Sequence, residues 1–241
     1  MNRFAPWLLA LALTACVTTS ETPKDTAKAD YEHAKEMLAK GQYEDADLFL
    51  QKFGANHPYS QYTIQAELLR IFAAYKSTEY VLSETLAEEF VSRHPRHPNV
   101  DYAQYMLGMS HLRESSPAEK DQAQTLAAIE SFRTLLKKYP KSVYARDARR
   151  HLQRLYNRLG KHELDVGKFY FDHQRYVAAA NRFQMVLEKY QTTPSIEEAL
   201  YYLAASWDAL GVKDDARNTA LILRHNYPKS EWSRKAARFI R

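Results

Sequence analysis

Apolar side chains return at three- and four-residue intervals along most of the chain, the pattern of helices that bury one face. The intervals themselves recur. A small residue is followed twelve positions later by proline four times, as Ala46 with Pro58, Ser83 with Pro95, Ala128 with Pro140, and Ala216 with Pro228. A fifth copy starts at Ala179 and has Gln191 in the proline position. Four and seven residues beyond each small residue stand Leu50 and Phe53, Ala87 and Phe90, Phe132 and Leu135, Phe183 and Val186, and Ala220 and Leu223. Upstream of each lies another striped helix, with Tyr102, Tyr105, Met106, Met109 and Leu112 in the third copy and Leu200, Leu203, Ala204, Trp207 and Leu210 in the fifth. Gly41-Gln42-Tyr43 and Gly211-Val212-Lys213 supply tight turns between the two helices.

Helix, turn, helix and proline stop together resemble the tetratricopeptide repeat, in which small residues sit where two helices touch and proline ends the second. The stops are 37, 45, 51 and 37 residues apart, against about 34 in that family. The insertions fall between Arg113 and Gln122 and across Lys141 to Phe171, and the second predicts one unusually long helix. One such unit cannot bury both of its apolar faces. The expected fold is therefore all-α, a right-handed solenoid of about five helix pairs with a concave side.

The start of the chain is patterned differently. Arg3 precedes an apolar run from Trp7 to Leu13, then small residues and Cys16, the only cysteine. This is the layout of a secretory signal peptide, and it is too short to span a bilayer. A lone thiol outside the cytoplasm has no disulfide partner. Leu13-Thr14-Ala15-Cys16 resembles the lipobox of bacterial lipoproteins, which implies that Cys16 begins the mature chain and carries acyl groups; the competing reading is a chance cysteine after a hydrophobic start. Polar residues then run to Lys28 without periodicity, a flexible tether reaching at most about 40 Å.

Composition narrows the function classes. Loss of the first fifteen residues leaves 33 basic and 29 acidic side chains, a mild surplus. Good helix formers dominate, glycine numbers only 6, and no later run is long and apolar enough to cross a membrane. Seventeen tyrosines are present, many expected on the first helices that line the concave side. A candidate groove is formed by Tyr59, Tyr62, Tyr75, Tyr102 and Tyr105, whose rings offer flat apolar area with one hydrogen-bonding group each. Packing between repeats is the competing role for any one of them.

Candidate chemistry is thin. His94-Pro95-Arg96-His97-Pro98 invites a metal reading, yet His57 and His94 share their repeat position with Tyr139, Tyr190 and Tyr227, where an aromatic ring packs. No acidic cluster is apparent beside these histidines, so neither metal nor cofactor is expected. HExxH, GxSxG and GxxxxGK[ST] are absent, and the chain reads as non-enzymatic. Arg146, Arg150, Arg154 and Arg158 recur every four residues, with Arg149 and Lys161 beside them, opposite an apolar edge of Ala148, Leu152, Leu155 and Leu159. The expectation is one slanting basic stripe, either solvated or facing an acidic partner. Export argues against nucleic acid.

His97-Pro98-Asn99-Val100-Asp101-Tyr102, with Tyr105-Met106 and Gly108, then Tyr139-Pro140-Lys141-Ser142, the segment around Tyr170, and Asn181-Arg182 resemble the BamD family of outer-membrane assembly lipoproteins from about Tyr31 onward. That resemblance implies a lipid-anchored protein of the outer membrane facing the periplasm, and Val17 rather than Asp after Cys16 agrees with the outer membrane. It implies signal peptide 1–15, tether 16–28, a client-binding half 29–140 and a complex-docking half 141–241. Implied partners are unfolded outer-membrane proteins, the barrel-forming subunit with its periplasmic domains, and companion lipoproteins. Arg182 matches the family's partner-contacting arginine, with Asn181 and Tyr170 beside it. The segment from Arg113 to Gln122 departs from the family pattern, lacking an Asp-Arg-Asp type of sequence, so contacts through it do not carry over. The alternative is a repeat lipoprotein that scaffolds cell-wall or pilus machinery.

Overall fold

The computed structural model describes residues 26–115 and 122–240. Cys16, the signal peptide, nearly all of the tether and residues 116–121 lie outside the described residues. Among the described residues all regular structure is helical. Helix α1 (Thr26–Ala39) pairs with α2 (Tyr43–Gln51) and its one-turn extension α3 (Phe53–Asn56). The pairs α4 (Thr63–Lys76) with α5 (Tyr80–Arg93), and α6 (Val100–Glu114) with α7 (Ala123–Lys138), follow. Next come α8 (Ala145–Asp172) with α9 (Tyr176–Lys189), and α10 (Ile196–Ala209) with α11 (Lys213–Asn226). Short α12 (Glu231–Ala236) and a 3-10 turn (Ala237–Phe239) pack on α10 and α11. Each second helix also packs on the first helix of the next pair, which gives the expected solenoid.

The small residue and its two apolar followers are buried in every copy, and Ala46, Ser83, Ala128, Ala179 and Ala216 are at most 1% exposed. These are the contact points between paired helices, where a larger side chain would force the axes apart. The first helix makes room in turn. A Cβ on Gly108 would lie 2.7 Å from the Phe132 ring, and one on Gly167 would lie 2.5 Å from the Phe183 ring.

The stop is a repeated backbone state. His57, His94, Tyr139, Tyr190 and Tyr227 have φ of −134°, −123°, −128°, −129° and −131°. Each donates its N–H to the carbonyl four residues earlier. Proline excludes the helical region for its predecessor. Tyr190 adopts the same state ahead of Gln191, so packing alone suffices there.

Turns between paired helices use a left-handed residue, Gly41 (φ +78°), Thr78 (+68°), Gln174 (+60°) and Gly211 (+79°). The following N–H closes back five residues, as Gln42 to Met37, Glu79 to Ala74, Arg175 to Tyr170 and Val212 to Trp207. Helix α8, 28 residues long, occupies the insertion predicted to be one long helix. Its first half packs on α7 and its second on α9. The largest buried cluster accordingly takes residues from both sides of position 140, including Phe132 and Phe183.

Candidate peptide groove and docking surface

The curve of the first three pairs encloses an open cavity of about 470 Å³. Helix α4 contributes its floor, Gln65, Leu68, Leu69 and Phe72. Tyr31 of α1 closes one side. Pro98, Asn99, Asp101 and Tyr102 at the start of α6, with Val143 and Tyr144 before α8, close the other.

Three aromatic contacts fix these walls. Tyr31 stacks on Tyr62 with centroids 5.1 Å apart, and Tyr144 stacks on Tyr105 at 4.9 Å while meeting Tyr102 at 5.6 Å. Tyr105 donates its hydroxyl to Asp147 Oδ2 at 2.6 Å, which holds the Asp147 carboxyl below the usual aspartate range. Burial raises the phenol pKa of Tyr102 and Tyr105, and in Tyr105 the bond to Asp147 adds to it. Both rings stay neutral. Among the described residues Gln65 Oε1 is the one buried side-chain polar atom without a hydrogen-bond partner.

Of the five tyrosines expected in the groove, Tyr102 lines it, and Tyr62 and Tyr105 support its walls from behind. Tyr59 is fully exposed on the turn after α3 and lines nothing. Tyr75 lies at the far end of α4, accepting from Arg113 Nε at 3.0 Å and meeting Tyr80 edge-on. Tyr31, Gln65 and Tyr144 were missed. A signal for Tyr144 existed, because Ser60-Gln61-Tyr62 and Ser142-Val143-Tyr144 stand at equal distances after Pro58 and Pro140. In both, the serine hydroxyl accepts the tyrosine N–H at 3.1 Å.

The histidines are structural partners. His57 Nε2 lies 2.7 Å from Asp30 Oδ2, and His94 Nε2 lies 3.1 Å from Glu67 Oε2, each ring also resting on a phenylalanine. Each is met by a single carboxylate from the first helix, 27 residues upstream, and not by an acidic cluster. Burial lowers the His97 pKa, its ring edge-on to Phe90. Glu84, Glu88 and His111 also approach one another, with His111 Nδ1 engaged by Gln124 and Glu84 at 2.8 and 3.2 Å.

On the carboxy-terminal side, Arg182 Nη1 donates to Glu163 Oε2 at 3.0 Å. The Glu163 side chain is 9% exposed and that of Arg182 is 38% exposed. The arginine expected to contact a partner is thus paired with a carboxylate of its own chain. Asn181 is exposed, and half-buried Tyr170 lies edge-on to the exposed ring of Phe169.

The basic stripe is shorter than expected. Arg146, Arg149, Arg150 and Arg154 are exposed on α8, Arg150 with Asp147 at 4.0 Å. Arg158 leaves the row: its guanidinium donates to Thr125 Oγ1 at 2.6 Å and Ser115 Oγ at 3.3 Å. Each four-residue step turns about 40° beyond a full circle, and three steps bring Arg158 round to α7. Charge is also unevenly divided. Residues 29–140 carry 12 Lys and Arg against 16 Asp and Glu, whereas residues 141–241 carry 19 against 11.

The described residues form a stack of helix pairs with an open aromatic groove and a charged flank, a helical-repeat protein with no described helix long and apolar enough to cross a membrane. Residues 23–222 match the YfiO family model, described as outer membrane lipoprotein, and the chain belongs to that family. It is 31% identical to the outer membrane protein assembly factor BamD of Rickettsia prowazekii (strain Madrid E), over 85% of this chain and 82% of that protein. It is likewise 31% identical to the factor of that name from Neisseria meningitidis serogroup A, over 92% and 90%. Among solved structures, the TPR2AB domain of yeast Sti1 in its pHSP90 complex is similar at 15% identity and a TM-score of 0.44, over 88% of this chain and 81% of that one.

Proposed function

We propose that this protein is a non-catalytic scaffold of the outer-membrane β-barrel assembly complex, tied to the membrane by acyl groups on Cys16 and facing the periplasm. Its amino-terminal groove receives unfolded outer-membrane proteins, and its carboxy-terminal pairs dock on the barrel-forming subunit beside companion lipoproteins. The observation that carries the reading is the groove itself, with tyrosine walls and an apolar floor. A client strand is extended, with side chains of one face two residues apart. Aromatic walls hold such a strand through area and edge contacts, and the open mouth lets it go. Family membership and the named assembly factors among the relatives support the same role.

Photo-crosslinkers placed at Phe72 and Tyr144 are expected to capture unfolded barrel precursors, and one at Tyr59 to capture far less. Equal capture at all three, or none, refutes the groove.

A further inference from the structure

We propose that Glu84, Glu88, His111 and Gln124 form a binding site for one divalent cation of the Zn²⁺ class, which clips the second helix pair to the third. Glu84 and Glu88 stand one turn apart on α5, and His111 comes from α6. Their ligand atoms all lie within 4.8 Å of one another. Gln124, at the start of α7, turns its amide oxygen to the same place, 2.8 Å from His111 Nδ1. One imidazole nitrogen and oxygens from three side chains thus converge, a mixed donor set that suits an ion of zinc's borderline softness.

The histidine is buried, only 7% exposed, and both atoms that face its Nδ1 are acceptors, Gln124 Oε1 at 2.8 Å and Glu84 Oε2 at 3.2 Å. An imidazole nitrogen carries at most one proton, so a proton there is shared between two oxygens, whereas a cation serves both and the nitrogen as well. The two carboxylates also lack a permanent counter-charge. Among the described residues Glu84 is paired with His111 alone, and Glu88 has no ion-pair or hydrogen-bond partner. The acid in the equivalent place of the first pair, Asp47, is closed by Arg70 Nε at 2.8 Å. Like charges four residues apart on a helix weaken it, a cost that a bound cation removes. The spacing fits too. Ligands about 2.0–2.2 Å from a tetrahedral ion stand about 3.3–3.5 Å apart. Glu84 and His111 already meet at 3.2 Å, and exposed, unpaired Glu88 has to swing in by no more than about 1.5 Å. His57 and His94 each face one carboxylate and offer no such set. An ion held here ties α5 to α6 and α7 beside the buried Ser83–Ser110 contact, in the half of the solenoid that carries the groove.

The test uses the full chain, stripped of metal with a chelator, and titrates it with Zn²⁺ by calorimetry and with Co²⁺ by visible absorption. One equivalent should bind, and Zn²⁺ at about a hundredfold excess over Kd should raise the melting temperature by about 5–10 °C, where Mg²⁺ does not. Glu88→Gln, at an exposed side chain whose loss spares the fold, should weaken Zn²⁺ binding at least about tenfold. His111→Gln should abolish the cobalt absorption change. Because His111 is buried, E84Q/E88Q serves as the second variant, and it should lose Zn²⁺ binding while its helical circular dichroism stays unchanged. Glu89→Gln, one residue along α5, and His94→Gln should bind as the native chain does. Absence of saturable binding up to about 1 mM Zn²⁺ overturns the proposal. Undiminished binding in E84Q/E88Q overturns it as well, as does an equal rise in melting temperature with Mg²⁺.

Discussion

In the first two repeats the residue before the helix stop is histidine, and it reaches back 27 residues to a carboxylate on its own first helix, Asp30 or Glu67. In the fourth repeat the same first-helix position holds Glu163, but the stop residue is Tyr190, and the carboxylate turns to Arg182 instead. The backbone at the three stops lies in one region, with φ from −134° to −123° and ψ from 35° to 57°. What differs is the partner of the carboxylate. One end of the solenoid uses partly exposed His–carboxylate pairs within an acidic surface, the other a permanent cation over a nearly buried anion within a basic one. The helix frame is thus indifferent to the chemistry it carries, which leaves the two ends free to take different partners.

If the frame is common to both ends, its largest buried rings should be equally costly to remove. Phe90→Ala and Phe183→Ala are each expected to destabilise by about 3–5 kcal/mol in urea unfolding, and a gap of more than about 2 kcal/mol would show that the halves are not equivalent frames. The pairs themselves should differ. Arg182→Ala leaves Glu163 buried and alone and should cost about 1–3 kcal/mol, most of it recovered when Glu163→Gln is added. Asp30→Asn, at a side chain 41% exposed, should cost no more than about 1 kcal/mol. It follows that charge reversal at Arg182 is an ambiguous probe of docking; Asn181, exposed on the same helix, is the cleaner one.

Acid sharpens the comparison on a smaller scale. Asp147 is held below the ordinary aspartate value of 3.8, first by the Tyr105 hydroxyl and then by His151 and Arg150. A depressed folded-state pKa stabilises above the unfolded value and loses that contribution as pH falls through the folded one. The advantage of the native chain over Asp147→Asn in melting temperature should be full above about pH 5 and vanish toward strong acid. It should be modest, because the carboxylate is 44% exposed and solvent screens it. The smallest effects belong to the turns. Thr78→Gly and Gln174→Gly relieve left-handed backbone in non-glycine residues and should stabilise by about 0.5–1 kcal/mol, Thr78 more because its branched Cβ suits that region least.

The frame was legible in the sequence because helical spacing and helix stops are local properties: Ala46, Phe90, Phe132 and Phe183 are buried as their positions foretold. The long helix was legible too, since no stop interrupts 145–172. The groove was not, because it joins α1, α4, α6 and the approach to α8, and only the curvature of the stack brings these together. Tyr59 and Tyr75 share the composition of groove residues without sharing their place. Arg158 left its row by accumulated rotation, which a count of intervals alone does not register. The uneven charge of the two halves needed only counting by segment.

Helix α8 has one more consequence. Tyr144, on the lip of the groove, immediately precedes it and accepts the Ala148 N–H at its carbonyl, and Glu163 stands about 28 Å along the same axis. A continuous hydrogen-bonded helix resists stretching and bending over that span, so it behaves as a tie-beam between the two working ends. A pull on the Glu163–Arg182 pair therefore bears on the same stiff member that carries Tyr144 at the lip of the groove.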